Sequence, residues 1–366
     1  MANGKSNGKR IYICHTFYHV YVSILKECHL QHVQKDAYCR ADIILSTVYL
    51  DLTLIRDRLQ KTEFFDHIYI YHEKPFEAFP HLMKYKEDHG ILRNMVQRMI
   101  FCKKFSKTQE DLIPVDLKPY DGNIWVYCDS DPIGYYLNGH HIHYHAVEDG
   151  LDCLRYADGA KYDNQGAFGL KQWMASHNLI FMQDGHSKYC IDMEVNNLAV
   201  LDIQAHKYVK YVEVCRQSLV DELTRADKDV ILNCFIGNIE RIRDVMKDTS
   251  GRKRVLILTE HLCTEEQRYR MFRDLMDEYC VGCTVMIKPH PKDDLDYAAR
   301  FADAIVMDRH FPMEIMEYIE GIHFDTVYAI LTNLRDSHFA DEMVNLGTEY
   351  LNRYAEPGQY DFVQNI

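Results

Sequence analysis

The chain has 366 residues, of which 47% are hydrophobic and 27% are charged. This length suits about two globular domains, and the composition is unlike that of a disordered or membrane-spanning chain. The net charge of −13 argues against nucleic acid as a partner, because phosphate backbones are bound by basic surfaces.

The first residues and the cysteines indicate the compartment. Residues 1–10 are polar and predict a flexible tail, and the apolar segment after them is too short for a signal peptide or a transmembrane helix. The 12 cysteines lack the spacing of a disulfide framework and indicate reduced thiols. We therefore expect a cytoplasmic protein, with peripheral contact to the inner face of the membrane left open. Cys280 and Cys283 could form a redox pair or half of a zinc site, but a strand pattern follows them, which favours a structural role.

Strand and helix patterns alternate through the first half of the chain. A short apolar strand, "IYIC", comes before an amphipathic helix. Further strands are predicted in "ADIILSTVYL", "FDHIYIYH", "NIWVY" and "HIHYHAV". Residues 151–200 show no clean period, and residues 203–247 are largely helical. Strands separated by helices favour a mostly parallel sheet.

The alternation restarts after the polar segment "DTSGRKR". The patterns predict a strand in "RVLILTEHL", a helix through "EEQRYRMFRDLMDEY", a strand in "TVMIKPHP", a helix from "KDDLDYAARF", a short strand in "AIVMD", and helices to the end. We predict two α/β domains with a cleft between them, over residues 11–245 with a helical insertion and residues 252–345. Residues 346–366 are predicted to be a helical tail, which could pack back on the first domain.

Candidate functional residues follow the predicted strands. Ligands of open parallel sheets bind beyond the carboxyl ends of the strands, and His15, Thr16, Glu148 and Asp149 all come directly after a strand pattern. An acid-acid-glycine triplet is by itself a weak signal, since solvated turn residues would give the same pattern.

A second group follows the strand "TVMIK". This strand delivers Lys288 and His290 to a turn, and Pro291 suits the first position of a helix. A helix start with a lysine and a protonatable histidine could hold a phosphate, and the histidine could protonate a departing phosphate. A Pro-His-Pro turn with no ligand is the alternative.

Later candidates lie at predicted helix starts. Glu314, in "FPMEIM", could accept hydrogen bonds from sugar hydroxyls, although an acid in a first helical turn is favoured by the helix dipole alone. Asp325 and Thr326 form a predicted capping pair before another helix, where the threonine hydroxyl could contact phosphate.

Two groups raise the question of a metal. The histidines at 140, 141, 143 and 145 are clustered, and the last three would share one face of a strand. No cysteine or acid stands near them at metal-ligand spacing, so an ordinary strand is favoured over a metal site. Asp129 and Asp131 resemble an Asp-x-Asp metal loop, yet Pro132 and the helix after it favour Ser130 and Asp131 as capping residues. We expect no metal and no cofactor.

The ordered set "CHTFYHVYVSIL", "EDG", "IKPHP", "FPMEIM" and "FDTVYAIL" resembles bacterial sialyltransferases, most closely the lipooligosaccharide sialyltransferase family of glycosyltransferases. The similarity extends over nearly the whole chain. It implies a GT-B architecture, in which two Rossmann-like domains face a central cleft, with the acceptor mainly on the first domain and the CMP-sugar mainly on the second.

The resemblance also implies roles for individual residues. One acid of the pair Glu148 and Asp149 is the general base, with Glu148 the first choice, and His290 meets the donor phosphate. Glu314 holds the ribose, and Thr326 contacts phosphate. The neighbours of Thr326 are Asp325 and Val327, unlike the serine pair of some sialyltransferases.

These roles describe an inverting, metal-independent transfer of sialic acid from CMP-sialic acid to a galactose-type hydroxyl of a lipooligosaccharide or capsular polysaccharide. The expected partners are a CMP-sugar donor and an oligosaccharide or glycolipid acceptor, with a homodimer left open. A transferase of the same architecture that uses CMP-Kdo, a CDP-polyol or a UDP-hexose remains an alternative. A non-catalytic glycan- or metal-binding protein is an alternative of another class, since Tyr and Phe are plentiful (26 and 16) and aromatic rings stack on sugars.

Overall fold

The computed structural model describes residues 8–127, 129–149, 167–201, 209–237, 239–249, 251–332, 338–356 and 359. The chain divides into two compact units, Met1–Asp227 and Lys228–Ile366. The division falls earlier in the chain than the predicted domain end at residue 245. None of the helices in the described part of the chain is long and apolar enough to span a membrane.

The first unit is built on a parallel sheet, as predicted. Its strands in the described residues are β1 (Ile11–Cys14), β2 (Ala41–Ser46), β3 (Phe65–Tyr71), β4 (Ile124–Tyr127), β5 (Tyr144–Val147), β6 (Cys190–Val195) and β7 (Tyr211–Glu213). They pair in the order β3-β2-β1-β4-β5-β6-β7. The interior strand β1 is buried along its whole length, which explains why "IYIC" is uniformly apolar.

Helices connect these strands. They are α1 (Phe17–Gln34), α2 (Arg56–Lys61), α3 (Ile91–Thr108), α4 (Pro132–Gly139), α5 (Phe168–Ser176), α6 (Arg216–Asp221) and α7 (Arg225–Phe235), the last of which spans the boundary between the units. Helix α1 begins where the Thr16 hydroxyl accepts a hydrogen bond from the His19 N–H. The strands β6 and β7 lie in segments where the sequence pattern predicted none.

The second unit holds another parallel sheet. Its strands in the described residues are β8 (Arg254–Leu258), β9 (Thr284–Lys288), β10 (Ile305–Val306), β11 (Phe324–Ala329) and β12 (Ala340–Asn345), in the order β10-β9-β8-β11-β12. The helices are α8 (Ile239–Asp248), α9 (Glu265–Tyr279), α10 (Tyr297–Arg300) and α11 (Gly347–Leu351). Thr264 and Gln267 form a capping box that starts α9.

Two predictions for the second unit were wrong. The segment after residue 320, predicted to be helical, contains the strands β11 and β12. The helix predicted from Lys292 is reduced to the single turn of α10. The final helix α11 packs within the second unit, because Tyr350 and Leu351 lie in the same buried cluster as Phe272 and Ile287.

Candidate active site

Polar side chains gather at the carboxyl edge of the first sheet. His15 follows β1, Ser46 ends β2, Glu73 follows β3, Asp131 follows β4 and Asp149 follows β5. Because all these strands are parallel, their carboxyl ends share one edge of the sheet. This is the edge at which α/β folds bind ligands.

His15 is a buried cation held between two acids. Its Nε2 lies 2.8 Å from Glu73 Oε2 and its Nδ1 lies 3.5 Å from Asp131 Oδ2. Burial opposes the charged imidazole, but the carboxylates of Asp131 and Glu73 outweigh it and raise the pKa of His15 to about 9. His15 is only 1% exposed, so the structure gives this predicted substrate ligand a supporting position instead.

Glu73 connects three elements at this edge. It accepts hydrogen bonds from the Ser46 hydroxyl at 2.7 Å and from the Ile133 N–H, in the first turn of α4, at 2.9 Å. With His15 this makes a buried polar network beneath the edge. Thr16, also a predicted substrate ligand, caps α1.

Asp149 is held by a histidine that the sequence analysis did not single out. His19 Nε2 lies 2.5 Å from Asp149 Oδ1, while His19 Nδ1 accepts the His15 N–H at 3.0 Å. The second contact leaves the ring proton on Nε2, so a neutral His19 donates to the carboxylate. Burial lowers the pKa of His19 and favours that neutral form, and the ring stacks on Tyr127 at 4.5 Å. The Asp149 side chain remains 40% exposed.

Glu148 faces into the protein. Its Oε1 accepts the Asn196 N–H at 2.6 Å, and its Oε2 is buried with no hydrogen-bond partner among the described residues. Burial raises the pKa of Glu148, against the opposing effects of the Asn196 N–H and the nearby Arg216 guanidinium. The geometry therefore favours Asp149 over our first choice, Glu148, as the acid available to a substrate. Gly150, the third residue of this motif, lies outside the described residues.

The two aspartates of the "DSD" segment are engaged with other groups. Asp129 is fully buried and accepts from the Tyr144 hydroxyl and, at 2.5 Å, from the Asp184 N–H. Asp131 occupies the residue before α4, and Pro132 starts that helix as predicted, but the Asp131 side chain makes no capping hydrogen bond. It accepts instead from the Tyr49 hydroxyl. The predicted capping role of Asp131 is thus wrong.

The clustered histidines do not share a strand face. His141 lies in a turn with a φ of 60°, and β5 begins only at Tyr144. Each of the others pairs with an acid: His140 with Glu110, His143 with Asp121 and His145 with Asp192. Within the described ranges no group of three or more His, Cys, Asp or Glu side chains is arranged to hold a metal ion.

In the second unit, His290 follows β9 at the carboxyl edge of the sheet. Its backbone N–H donates to the Thr259 hydroxyl at 3.0 Å, and its Nδ1 accepts the Lys292 N–H at 3.1 Å. The Nε2 position is therefore the one that carries the proton of the neutral ring. Burial, together with the positive charges of His261, Lys288 and Lys292, lowers the pKa of His290 to about 4. Burial and these charges therefore favour the neutral form of the His290 ring in the free protein, whereas the sequence analysis expected a cationic one.

The turn around His290 differs from the predicted helix start. No helix begins at Pro291, because Asp293 turns inward and accepts hydrogen bonds from the Thr259 and Tyr297 hydroxyls at 2.8 and 2.7 Å. Lys288 is buried, with its Nζ 3.3 Å from the Pro289 carbonyl oxygen and 4.5 Å from the centre of the Phe311 ring. The substrate-binding role of Lys288 stays a prediction.

Thr326 and Asp325 lie away from this edge. Asp325 is the second residue of β11, and its side chain accepts the N–H of Arg254, the first residue of β8, at 2.7 Å. Both residues thus belong to the amino-terminal part of a strand, which explains why they do not cap a helix. A different threonine, Thr332, follows β11, and its hydroxyl lies 3.2 Å from the buried carboxylate of Glu260.

Glu314 lies in the first turn of a 3₁₀-helix, Met313–Tyr318, with its side chain exposed. The sequence analysis placed it at an α-helix start, so the position was right and the helix type was not. Its charge favours the protonated form of Lys288.

Comparison with known proteins adds the family. The profile of Glycosyltransferase family 52 matches residues 91–330. The chain belongs to this family. The predicted membership of a bacterial sialyltransferase family of glycosyltransferases is confirmed.

Solved structures are similar to this family 52 member, and the first of them supports the fold class. A crystal structure of an α/β-galactoside α-2,3-sialyltransferase from the luminous marine bacterium Photobacterium phosphoreum is similar with a TM-score of 0.51 and 11% identity, over 93% of this chain and 91% of that one. The GT-B domain of a sialyltransferase from Photobacterium damselae gives a TM-score of 0.45 and 13% identity, over 88% and 86%. The predicted GT-B class of two Rossmann-like domains is confirmed.

A curated relative matches only a short part of the chain. An uncharacterized protein of Haemophilus influenzae (strain ATCC 51907 / DSM 11121 / KW20 / Rd) is 24% identical over 90 residues, which is 25% of this chain. The match spans 29% of that relative's length.

Sequence reasoning missed several residues at the carboxyl edges of the two sheets in this family 52 member. His19, Glu73, Glu260, His261 and Thr332 were not predicted. His261 stacks on His290 with ring centres 4.4 Å apart. A signal existed for Glu260, His261 and Thr332, since "TEH" follows the strand "RVLIL" and Thr332 follows "VYAIL". A strand pattern after residue 320 would have directed attention to Thr332.

Proposed function

We propose that this protein is an inverting sialyltransferase that moves sialic acid from CMP-sialic acid to a galactose-type hydroxyl of a surface glycan, either a lipooligosaccharide or a capsular polysaccharide. The observation that carries the proposal is Asp149, a partly exposed carboxylate fixed by a buried histidine at the ligand-binding edge of the first sheet. Membership of glycosyltransferase family 52 supports a transfer reaction.

Asp149 is assigned as the general base. In the transfer, the acceptor oxygen bonds to the anomeric carbon as the bond to the CMP phosphate breaks, and the acceptor proton passes to Asp149. The hydrogen bond from neutral His19 holds the carboxylate in one orientation without placing a full positive charge beside it. His19 is a positioning residue in this proposal.

His290 is assigned to the departing phosphate. Because its Nδ1 accepts the Lys292 N–H, the Nε2–H is the ring donor left for a phosphate oxygen. A hydrogen bond that strengthens as negative charge develops on the leaving phosphate lowers the barrier. We further assign Thr332 to the phosphate in place of Thr326, since it follows β11, and Glu314 to the ribose hydroxyls, since its carboxylate interacts with Lys288 at the end of β9.

Incubation with CMP-sialic acid and a panel of small galactosides, read by mass spectrometry, tests the proposal. The expected product is a galactoside heavier by one sialic acid, formed together with CMP. Asp149→Asn is the matched control, since it keeps the shape of the side chain and removes the base. Absence of any sialylated galactoside from the folded wild-type protein would contradict the proposal for this acceptor class.

A nucleotide panel separates the donor alternatives. A ligand that binds only the folded state raises the melting temperature, so CMP should stabilise the protein more than UDP, CDP or ADP. Stabilisation by UDP would favour a UDP-hexose, and stabilisation by CDP a CDP-polyol. A CMP-Kdo transferase would share the CMP response and be recognised by its product. A non-catalytic glycan-binding protein would respond to no nucleotide.

A further inference from the structure

The outward face of α3 is apolar over its first half. Leu92, Val96 and Ile100 are 82%, 55% and 37% exposed, and their four-residue spacing places them on one face of the helix. The opposite face supplies Phe101 and Phe105 to a buried cluster. A surface helix normally carries polar residues on its outward face, so this face differs from an ordinary solvated one.

The charges of α3 are all of one sign. The helix contains Arg93, Arg98, Lys103, Lys104 and Lys107 and has no acidic residue, although the chain as a whole has a net charge of −13. Lys103 and Lys107 lie eleven and fifteen positions after Leu92 and continue its face toward the carboxyl end. Both are exposed. We call the five residues Leu92, Val96, Ile100, Lys103 and Lys107 the α3 surface.

Neighbouring elements add to the apolar area. Met83, in the 3₁₀-helix Pro80–Tyr85, is 43% exposed, and Leu170 and Trp173 of α5 are 43% and 53% exposed. These elements pack on the same buried cluster as α3, to which Leu82 and Met174 also belong. Exposed apolar side chains are thus concentrated in one part of the first unit. Concentrations of this kind mark interaction sites.

We propose that the α3 surface binds the face of a bilayer that contains anionic phospholipid, with the apolar side chains at the headgroup boundary and the lysines on the lipid phosphates. An apolar stripe beside a group of basic side chains is the combination that interfacial helices use. Each lysine close to an anionic surface adds to the attraction. This inference does not rest on the transfer reaction.

The charge of α3 favours a bilayer over a second copy of the chain. A two-fold contact between copies presents the same surface from each side, so two α3 helices would bring their basic side chains together. Like charges at a contact oppose association. An anionic bilayer provides both an apolar phase and the opposite charge.

Co-sedimentation of the full chain with vesicles tests the proposal. Wild-type protein should sediment with vesicles of mixed phosphatidylcholine and phosphatidylglycerol, and far less with phosphatidylcholine alone. Binding should weaken as salt is added, because salt screens the lysine charges. The measurement needs no nucleotide sugar and no turnover, so its failure is distinguishable from failure of the proposed function.

Matched substitutions locate the binding surface. The double variants Leu92→Ser/Val96→Ser and Lys103→Glu/Lys107→Glu should each bind anionic vesicles about tenfold less tightly or worse. Val33→Ser/Val281→Ser is the control, since these valines are 63% and 81% exposed and lie outside α3. It should bind like the wild type. All three should retain the wild-type melting temperature, because the changed side chains are exposed.

Three results would overturn the proposal. The first is a folded wild-type protein that does not sediment with anionic vesicles, or that sediments equally with phosphatidylcholine. The second is wild-type binding by the Leu92→Ser/Val96→Ser variant. The third is a wild-type dimer, measured by light scattering, that this variant converts to a monomer, since the α3 surface would then be an interface between copies.

Discussion

The contrast between Asp149 and Glu148 gives the sharpest test of the first-unit site. Asp149→Asn keeps the size of the side chain, and its amide oxygen can still accept the hydrogen bond from His19 Nε2. The amide cannot take a proton from an acceptor hydroxyl. We expect the rate to fall about a hundredfold to ten-thousandfold, or roughly 3 to 5 kcal/mol of transition-state free energy. The melting temperature should change little.

Glu148→Gln should give the opposite pattern. The variant keeps an oxygen for the Asn196 N–H, but it removes the negative charge near the buried Arg216 guanidinium. A buried charge that loses a counter-charge destabilises the fold, here by about 1 to 3 kcal/mol of unfolding free energy. The fraction that remains folded should transfer sugar at a rate close to wild type.

Initial rates with CMP-sialic acid and a galactoside, measured beside thermal unfolding on the same preparations, compare the two variants. A large loss of rate in a stable Glu148→Gln protein, with Asp149→Asn active, would make Glu148 the base. Wild-type rates in both would refute the reasoning that places a catalytic base at this edge.

Other changes test the remaining parts of the site. His290→Ala should fold and keep most of its CMP affinity but lose about a hundredfold or more in rate, and activity within about threefold of wild type would contradict its role. His19→Ala should lower kcat about tenfold with little change in KM, and His19→Gln, whose amide can still donate, should recover part of that loss. Because the pKa of His15 is raised to about 9, its charged form should stabilise the fold fully below about pH 6.5, and this contribution should be lost as the pH rises through about 9. Denaturant unfolding at several pH values should show a smaller loss of unfolding free energy over this range in His15→Gln than in the wild type. Transfer should survive EDTA, because Asp129 and Asp131 are engaged by the Tyr144 and Tyr49 hydroxyls; loss that manganese restores would contradict this expectation.

Local signals were enough to predict the beginning of the first unit and the start of one helix in the second. The strand β1 is an unbroken apolar run, and α1 starts at a threonine cap, so both could be read from neighbouring residues. The capping box at Thr264 similarly fixes the start of α9. Each of these features depends on residues a few positions apart, which is the range over which sequence patterns are informative.

Long-range pairing decided the features that were predicted wrongly. Strand β11 is a strand because it pairs with β8 and β12, and β8 is about seventy residues away in the chain. Asp325 and Thr326 are residue types that cap helices, so the local pattern suggested a helix start. The helix predicted from Lys292 is reduced to α10 because Asp293 bonds to Thr259, which follows another strand, β8. Such partners override local propensity.

The candidate site shows the same difference between local sequence signals and long-range contacts. The sequence placed Glu148 and Asp149 at a strand end, but the orientation of the pair depends on distant residues. Glu148 is drawn inward by the Asn196 N–H, and Asp149 is held by His19, which lies 130 positions earlier in the chain. Neighbouring acids have similar intrinsic chemistry, so only these contacts separate a buried structural acid from an accessible one.

The pKa values of the two buried histidines, His15 and His290, are shifted in opposite directions, and this affects how phosphate would be bound. In the first unit His15 is paired with acids, and its pKa is raised. In the second, burial and nearby cations lower the pKa of His290 to about 4, and burial lowers that of Lys288 to about 8. A phosphate bound beside them would favour both charged forms and raise both pKa values. Under the proposed function, binding of CMP is therefore coupled to proton uptake, and a proton gained by His290 goes to Nδ1, which then releases the Lys292 N–H. Calorimetry of CMP binding in buffers of different ionisation enthalpy should show this uptake, which should be reduced in His290→Ala.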